Sequence, residues 1–143
     1  MQKRNFEILV RAVVLRNGKI LLCWLKDYSF YFLPGGHVET GESVRQAMVR
    51  EMREELGAAV KSQKVIGAVE NIWKDGRRKH HELNVISAVK LNRYDATTPL
   101  RHIEFHWVDA DKLSRKKVLP HALKKAVQKW LKDRKPFWAS QLR

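Results

Sequence analysis

Cysteine is almost missing from this chain: Cys23 is the only one in 143 residues. A lone thiol excludes an intramolecular disulfide. Its setting inside "ILLCWL" reads as a small core side chain rather than a nucleophile. Long apolar runs are missing too. The longest, Ile20 to Leu25, is six residues, against the roughly 20 that a membrane-spanning helix needs. No membrane association is expected. Near the N-terminus the apolar stretches are broken by Glu7 and Arg11, which argues against a secretory leader and makes a cytoplasmic location the expectation. Acidic residues are scarce, with 15 Asp and Glu against 29 Lys and Arg, a net charge of +14. Residues 111–143 hold eleven basic and two acidic side chains, so +9 of that excess lies there. A positive field favours polyanions such as nucleotides and RNA. Its plain alternative is a solvated helix face.

What is present reads as one soluble domain over residues 1–143. Apolar residues make up 44% and charged residues 31%, a globular composition rather than a disordered one. Residues 8–16 alternate like a strand. Asn17-Gly18 is a tight-hairpin pair, and "KILLCWL" returns as its partner. "YSFYFLP" reads as a further extended run, ended by Pro34. Gly35 and Gly36 follow as a loop through which backbone can approach a ligand. A helix comes next, capped at its start by Thr40 or Glu42 and ended by Gly57. Residues 63–73 and 81–91 form two strands around an Asp75-Gly76 turn. Residues 103–108 make another strand, and "DADKL" a turn or short helix. Pro120 opens a last helix, whose stripe of Ala122, Leu123, Ala126, Val127, Trp130 and Leu131 docks on the sheet. Residues 136–143 either hang as a loose tail or pack through Phe137 and Trp138. The order strands, helix, strands, helix implies an α/β (α+β) sandwich with a mixed β-sheet between α-helices.

The segment "REMREELG" concentrates Glu51, Glu54 and Glu55 in an otherwise basic chain. On a helix each residue advances about 100°. Met52 and Val44 then flank Met48 within about 40° on either side, which marks the buried face. On the Val44 side of Met48, Glu55 lies at about 20°, Glu51 at about 60° and Glu54 at about 120°, an arc overlapping the apolar face. Three like charges turned towards the protein repel one another, and desolvation sharpens the conflict. Protonation, a bound cation, or pairing with Arg45, Arg50 or Arg53 would relieve it. Hard divalent ions prefer carboxylate and carbonyl oxygens.

The longer stretch "GGHVETGESVRQAMVREMREELGA" resembles the Nudix box, the signature of the Nudix hydrolase superfamily. Gly36 begins the pattern and Glu42 follows it. Arg50, Glu51, Met52, Glu54, Glu55 and Gly57 then fall in register. Ala58 stands where the family usually has Ile, Leu or Val. Fixed charges at this many positions make the match specific, and the preceding "LPGG" is similar to the family as well. The resemblance implies a mixed sheet sandwiched between helices. It implies hydrolysis of a pyrophosphate linkage in a nucleoside diphosphate joined to another moiety, with Mg²⁺ or Mn²⁺ as cofactor.

Carried onto this chain, the resemblance makes Glu51, Glu54 and Glu55 metal ligands, with a backbone carbonyl at Gly36. Glu54 doubles as candidate general base. Arg50 would orient a glutamate of the site, and Glu42 would pair with Arg50 or support the cluster. Glu104 is an alternative base from a later strand. His37, Trp73 and Glu82 are candidate substrate contacts: His37 follows the glycine loop, and Trp73 beside basic residues suits a nucleotide base. Tyr28, Phe30 and Tyr31 read as sheet core or as a base-stacking surface. The expected substrates are nucleoside triphosphates, nucleotide sugars or ADP-ribose. One alternative is the 5′ end of RNA or a dinucleoside polyphosphate, which the charge of +14 motivates. A non-catalytic nucleotide- or RNA-binding domain is another. Monomer and homodimer are both open.

Overall fold

The computed structural model describes residues 6–95 and 102–142. Strand β1 (Phe6–Val13) is followed by β2 (Leu15–Arg16) and β3 (Lys19–Leu25). Asn17 and Gly18 join the last two with both φ angles positive, at 52° and 76°, as the Asn-Gly pair predicts. The extended run expected over "YSFYFLP" shrinks to a two-residue strand, β4 (Tyr31–Phe32), and β5 (Gly35–His37) follows it. Helix α1 is Val44–Leu56.

The cap of α1 corrects the sequence reading. Neither Thr40 nor Glu42 starts the helix. Ser43 does: its hydroxyl accepts from the Gln46 amide at 3.1 Å, and the Gln46 side chain accepts from the Ser43 amide at 2.8 Å. This reciprocal box satisfies two amides that lack helical partners and leaves Glu42 free for another role. Gly57, in the left-handed conformation, ends the helix and donates to the Arg53 carbonyl at 3.0 Å. That is the expected glycine stop.

Two long strands, β6 (Val60–Asp75) and β7 (Arg78–Leu91), form a hairpin about Gly76. Then come β8 (Ile103–Asp109), a 3₁₀ turn over Ala110–Arg115, α2 (His121–Asp133) and β9 (Phe137–Ser140). Pro120 precedes α2 rather than sitting in its first turn. Residues Phe137–Ser140 of the C-terminal segment form a strand. It pairs parallel to β6, with Phe137 opposite Gly67, where any β-carbon would meet the Phe137 ring at 2.5 Å.

One mixed sheet runs in the order β5-β1-β7-β6-β9. In the second sheet β8 pairs with β3 along its whole length, so β2 and β4 share the other edge of β3. Alternation along β1 feeds two cores. Val10 and Ala12 pack with Leu21, Met48, Met52 and Leu56 beneath α1. Val13 packs with Leu22, Ile86, Leu123, Val127 and Trp130 beneath α2. The sheets therefore lie between the two helices. No helix among the described residues is long and apolar enough to cross a membrane.

Candidate active site

Arg50 is the hub of the acidic helix. Its Nε and Nη2 donate to the two carboxylate oxygens of Glu42 at 2.8 and 2.9 Å. Nη1 donates to Glu51 at 2.9 Å and to Glu54 at 3.3 Å, and Nη2 also reaches the His37 carbonyl at 2.8 Å. One planar guanidinium thus ties the loop before α1, the glycine strand and two helix carboxylates together, geometry that a lysine cannot reproduce. The forked hydrogen bond from Arg50, with help from the Glu39 amide, holds the Glu42 carboxyl down at about 2.

Gly36 lies directly over Glu51. A β-carbon at residue 36 would stand 2.5 Å from a carboxylate oxygen of Glu51. Glu51 is only 12% exposed, whereas Glu54 is 58% exposed. Glu55 points inward and accepts a hydrogen bond from the Gly35 amide at 3.1 Å. Burial, reinforced by the neighbouring Glu51 charge, pushes the Glu55 carboxyl up to about 8. Arg11 pulls in the other direction without winning. Glu55 accordingly holds a proton at neutral pH. Buried Cys23 feels the same surroundings: burial first, then the Glu55 charge, raises its thiol well above the ordinary range.

Glu51, Glu54, Glu55 and the Gly36 carbonyl are an oxygen-only donor set of the kind that hard divalent ions take. A carboxyl that keeps its proton because it is buried beside a second carboxylate is a seat that a cation would relieve. In the present arrangement Arg50 draws Glu51 and Glu54 towards itself, and among the described residues no three Asp, Glu, His or Cys side chains converge on one point.

The model of the NUDIX domain matches residues 7–131. The chain belongs to the Nudix family. Among its relatives, an ADP-ribose pyrophosphatase of Methanocaldococcus jannaschii is 37% identical over 73 residues, covering 49% of this chain and 43% of that protein. A CTP pyrophosphohydrolase of Escherichia coli is 49% identical over 53 residues, covering 34% of this chain and 39% of its own. The matched segments thus span less than half of these curated relatives. The crystal structure of a MutT protein from Bacillus halodurans superposes with a TM-score of 0.80 at 17% identity, covering 94% of this chain and 88% of that one. The fold is therefore that of MutT-type Nudix proteins, and the kinship in sequence is with Nudix pyrophosphohydrolases.

The remaining sequence-derived residues scatter around this Nudix helix. His37 extends β5, and its ring bonds Glu7 at 2.9 Å. The other Glu7 oxygen meets His80 at 2.7 Å, and His80 stacks on Trp73 at 4.0 Å. Burial opposes ionisation of Glu7, but the two histidine hydrogen bonds prevail and lower its carboxyl. Trp73 donates its indole N–H to Glu82 at 2.6 Å. Glu104 lies on β8, facing His106 at 3.1 Å and Lys26 at 4.0 Å. None of its polar partners belongs to the box.

Sequence reasoning missed Arg11 and Asn84. Arg11 shares the face of β1 that carries Val13, donates to the Leu33 carbonyl at 3.0 Å and reaches Asn84 at 3.4 Å. Asn84 is almost fully buried, and Asn71 and Glu82 are buried beside it across the β6–β7 pair. The available signal was parity. An arginine on the inward side of an otherwise apolar strand must find polar partners. Reading Arg11 only as a break in an apolar stretch hid that.

Proposed function

We propose that this Nudix domain hydrolyses a pyrophosphate linkage in a nucleoside diphosphate joined to another moiety, dependent on a divalent cation such as Mg²⁺ or Mn²⁺. The reading rests on one observation above all: an inward-pointing Glu55 on the Gly35 amide and Glu51 roofed by Gly36, both flanked by the Arg50 hub. A cation bound by Glu51, Glu54, Glu55 and the Gly36 carbonyl supplies charge neutralisation at the diphosphate and a more acidic water.

The chain's own groups do the rest. Arg50 fixes the Glu51 carboxylate in one orientation through Nη1 while both Glu42 oxygens hold the guanidinium. Glu54, the most exposed of the three α1 glutamates, is the carboxylate open to an incoming water and accepts its proton. Glu104 is the second candidate for that role, from the other sheet. Arg11 adds positive charge near Glu55 for a phosphate oxygen. The buried amides of Asn71 and Asn84, with Glu82 and the Trp73 ring, line the same sheet face and suit the polar edge and flat face of a nucleoside. Most of the acceleration then comes from fixed charges and positioning.

The relatives named for ADP-ribose and CTP motivate a panel of nucleoside triphosphates, nucleotide sugars and ADP-ribose, assayed for phosphate or pyrophosphate release with and without Mg²⁺. Metal-dependent turnover of at least one, lost in Glu54→Gln and Glu55→Gln, is the expected result. No turnover on any substrate favours a nucleotide-binding role instead. A second reading, action on a polynucleotide end, is favoured by the charge of +14.

A further inference from the structure

Two arginines of α1, Arg45 and Arg53, take no part in the Arg50 hub. With Lys61 they line an open cleft of about 560 Å³ between the helix and the start of β6, where Val49 and Val60 supply apolar surface. All three cations are exposed. No Asp or Glu among the described residues lines the cleft, and among those residues none of the three side chains has an ion-pair partner. Arg50 borders the cleft too, but its donors are spent on Glu42, Glu51, Glu54 and the His37 carbonyl. Like charges thus gather here with no counter-charge to relieve them.

Local stability does not account for the grouping. Arg45 stands in the first turn of α1, where the helix macrodipole already supplies positive charge and disfavours a cation. Lys61 is the extra residue of a bulge: Val60 pairs with Leu91 and Ser62 with Lys90, which leaves Lys61 without a partner on β7. A bulge gives up ladder hydrogen bonds and re-aims a side chain. The two walls are also tied together, because the Gln63 side-chain amide donates to the Arg45 carbonyl at 3.1 Å. β9 pairs with β6 only from Gly67 to Glu70. The outer edge of β6 from Val60 to Ile66 therefore has no strand partner among the described residues, and such an edge presents main-chain N–H donors beside the cations.

Guanidinium groups take phosphate oxygens in forked pairs, and an ammonium adds a point charge. Arg53 follows Arg45 by eight positions, about 12 Å along the helix axis. One phosphate is too small to engage both forks across that span, whereas a chain of linked phosphoryl groups meets them in turn. We infer that this cleft is a second anion site, apart from the acidic site, for a linear oligophosphate: two or more phosphoryl groups joined through P–O–P bonds. Free inorganic oligophosphate and the phosphate chain of a nucleotide present the same chemistry. The site stands independently of the hydrolase reading, because neither Arg45, Arg53 nor Lys61 pairs with Glu51, Glu54 or Glu55.

The test is isothermal titration of the full chain with tripolyphosphate, in chelator and at low salt. Without a cation the α1 carboxylates repel an oligophosphate, so binding reports the cleft. Tripolyphosphate is expected to bind about tenfold or more tighter than orthophosphate. Arg45→Ala combined with Arg53→Ala should weaken it roughly tenfold, and Lys61→Glu likewise. These positions are exposed, and an unchanged urea midpoint checks that the fold holds. Lys125→Ala combined with Lys132→Ala removes the same charge from α2 and should leave binding as it is. A nucleoside triphosphate separates the two sources. Affinity equal to that of tripolyphosphate shows that phosphates alone are read; tighter binding that still needs Arg45 and Arg53 points to a nucleotide. Absent binding, orthophosphate bound as tightly, tripolyphosphate binding that ignores the two arginines, or an equal loss in the α2 variant overturns the site. So does single-stranded RNA bound more tightly through the same three side chains, which would make the cleft part of a polynucleotide surface.

Discussion

Gly36 and Glu51 are in such close apposition that the glycine has no room for a side chain: its β-carbon would meet a Glu51 oxygen at 2.5 Å. Glu51 cannot swing freely aside, because Arg50 holds its carboxylate at 2.9 Å. Gly36→Ala should therefore leave the fold standing and displace the carboxylate. Activity is expected to fall about 100-fold, the scale of an ångström-sized misplacement, with the urea midpoint nearly unchanged. Gly35→Ala is the contrast. There a β-carbon runs into the Val10 main chain at φ +146°, so stability drops first, by roughly 1–3 kcal/mol or more.

Arg50→Lys keeps the charge and removes the fork. One ammonium cannot serve Glu42, Glu51 and the His37 carbonyl together. We expect activity to fall roughly 10- to 100-fold, as when a residue that orients a ligand is lost. Apparent Mg²⁺ affinity should weaken in the same assay. An unchanged Mg²⁺ requirement with full kcat would remove Arg50 from the positioning role.

Glu55 gives the metal-free protein a defined pH dependence. Its folded value, about 8, lies above the ordinary 4.5. Between those values the folded state binds more protons than the unfolded state, so stability decreases with rising pH. The contribution is fully present below about pH 4.5 and is lost as pH passes through about 8. Urea midpoints in chelator at pH 5 and pH 9 measure it, and Glu55→Gln should flatten the slope. Mg²⁺ binding near pH 7 should release a proton, seen as a buffer-dependent heat. Identical slopes in wild type and variant would contradict the assignment.

Ser43→Ala removes one half of the α1 capping box. The expected cost is about 1 kcal/mol, read from the urea midpoint. Thr40→Ala, whose side chain takes no part in the cap, should change little.

Much of the site was legible because the box fixes charge at set intervals on one helix, and helical geometry of about 3.6 residues per turn carries that spacing directly into space. The Ser43 cap was misread because three cap-competent residues stand within four positions. Glu42 pairs with Arg50 instead, one of the two roles that the resemblance implies for it. β9 was invisible for another reason. Its four residues carry no alternation of their own, and pairing to β6 is decided by the small surface at Gly67. The polar face around Arg11 and Asn84 depends on the parallel partnership of β1 with β7, across some 73 residues of sequence. Local pattern carries no record of such a contact.

The double allegiance of β1 makes its phase a functional quantity. Arg11 reaches Asn84 only because it shares parity with Val13, while Val10 and Ala12 answer to the helix on the other side. One residue inserted between Arg11 and the β2–β3 hairpin would exchange the inside and outside of the strand relative to its anchor at the turn. The guanidinium would then be thrust among methionines and two aliphatic layers turned to the wrong helices. Two inserted residues would restore the phase and displace Arg11 only along the strand.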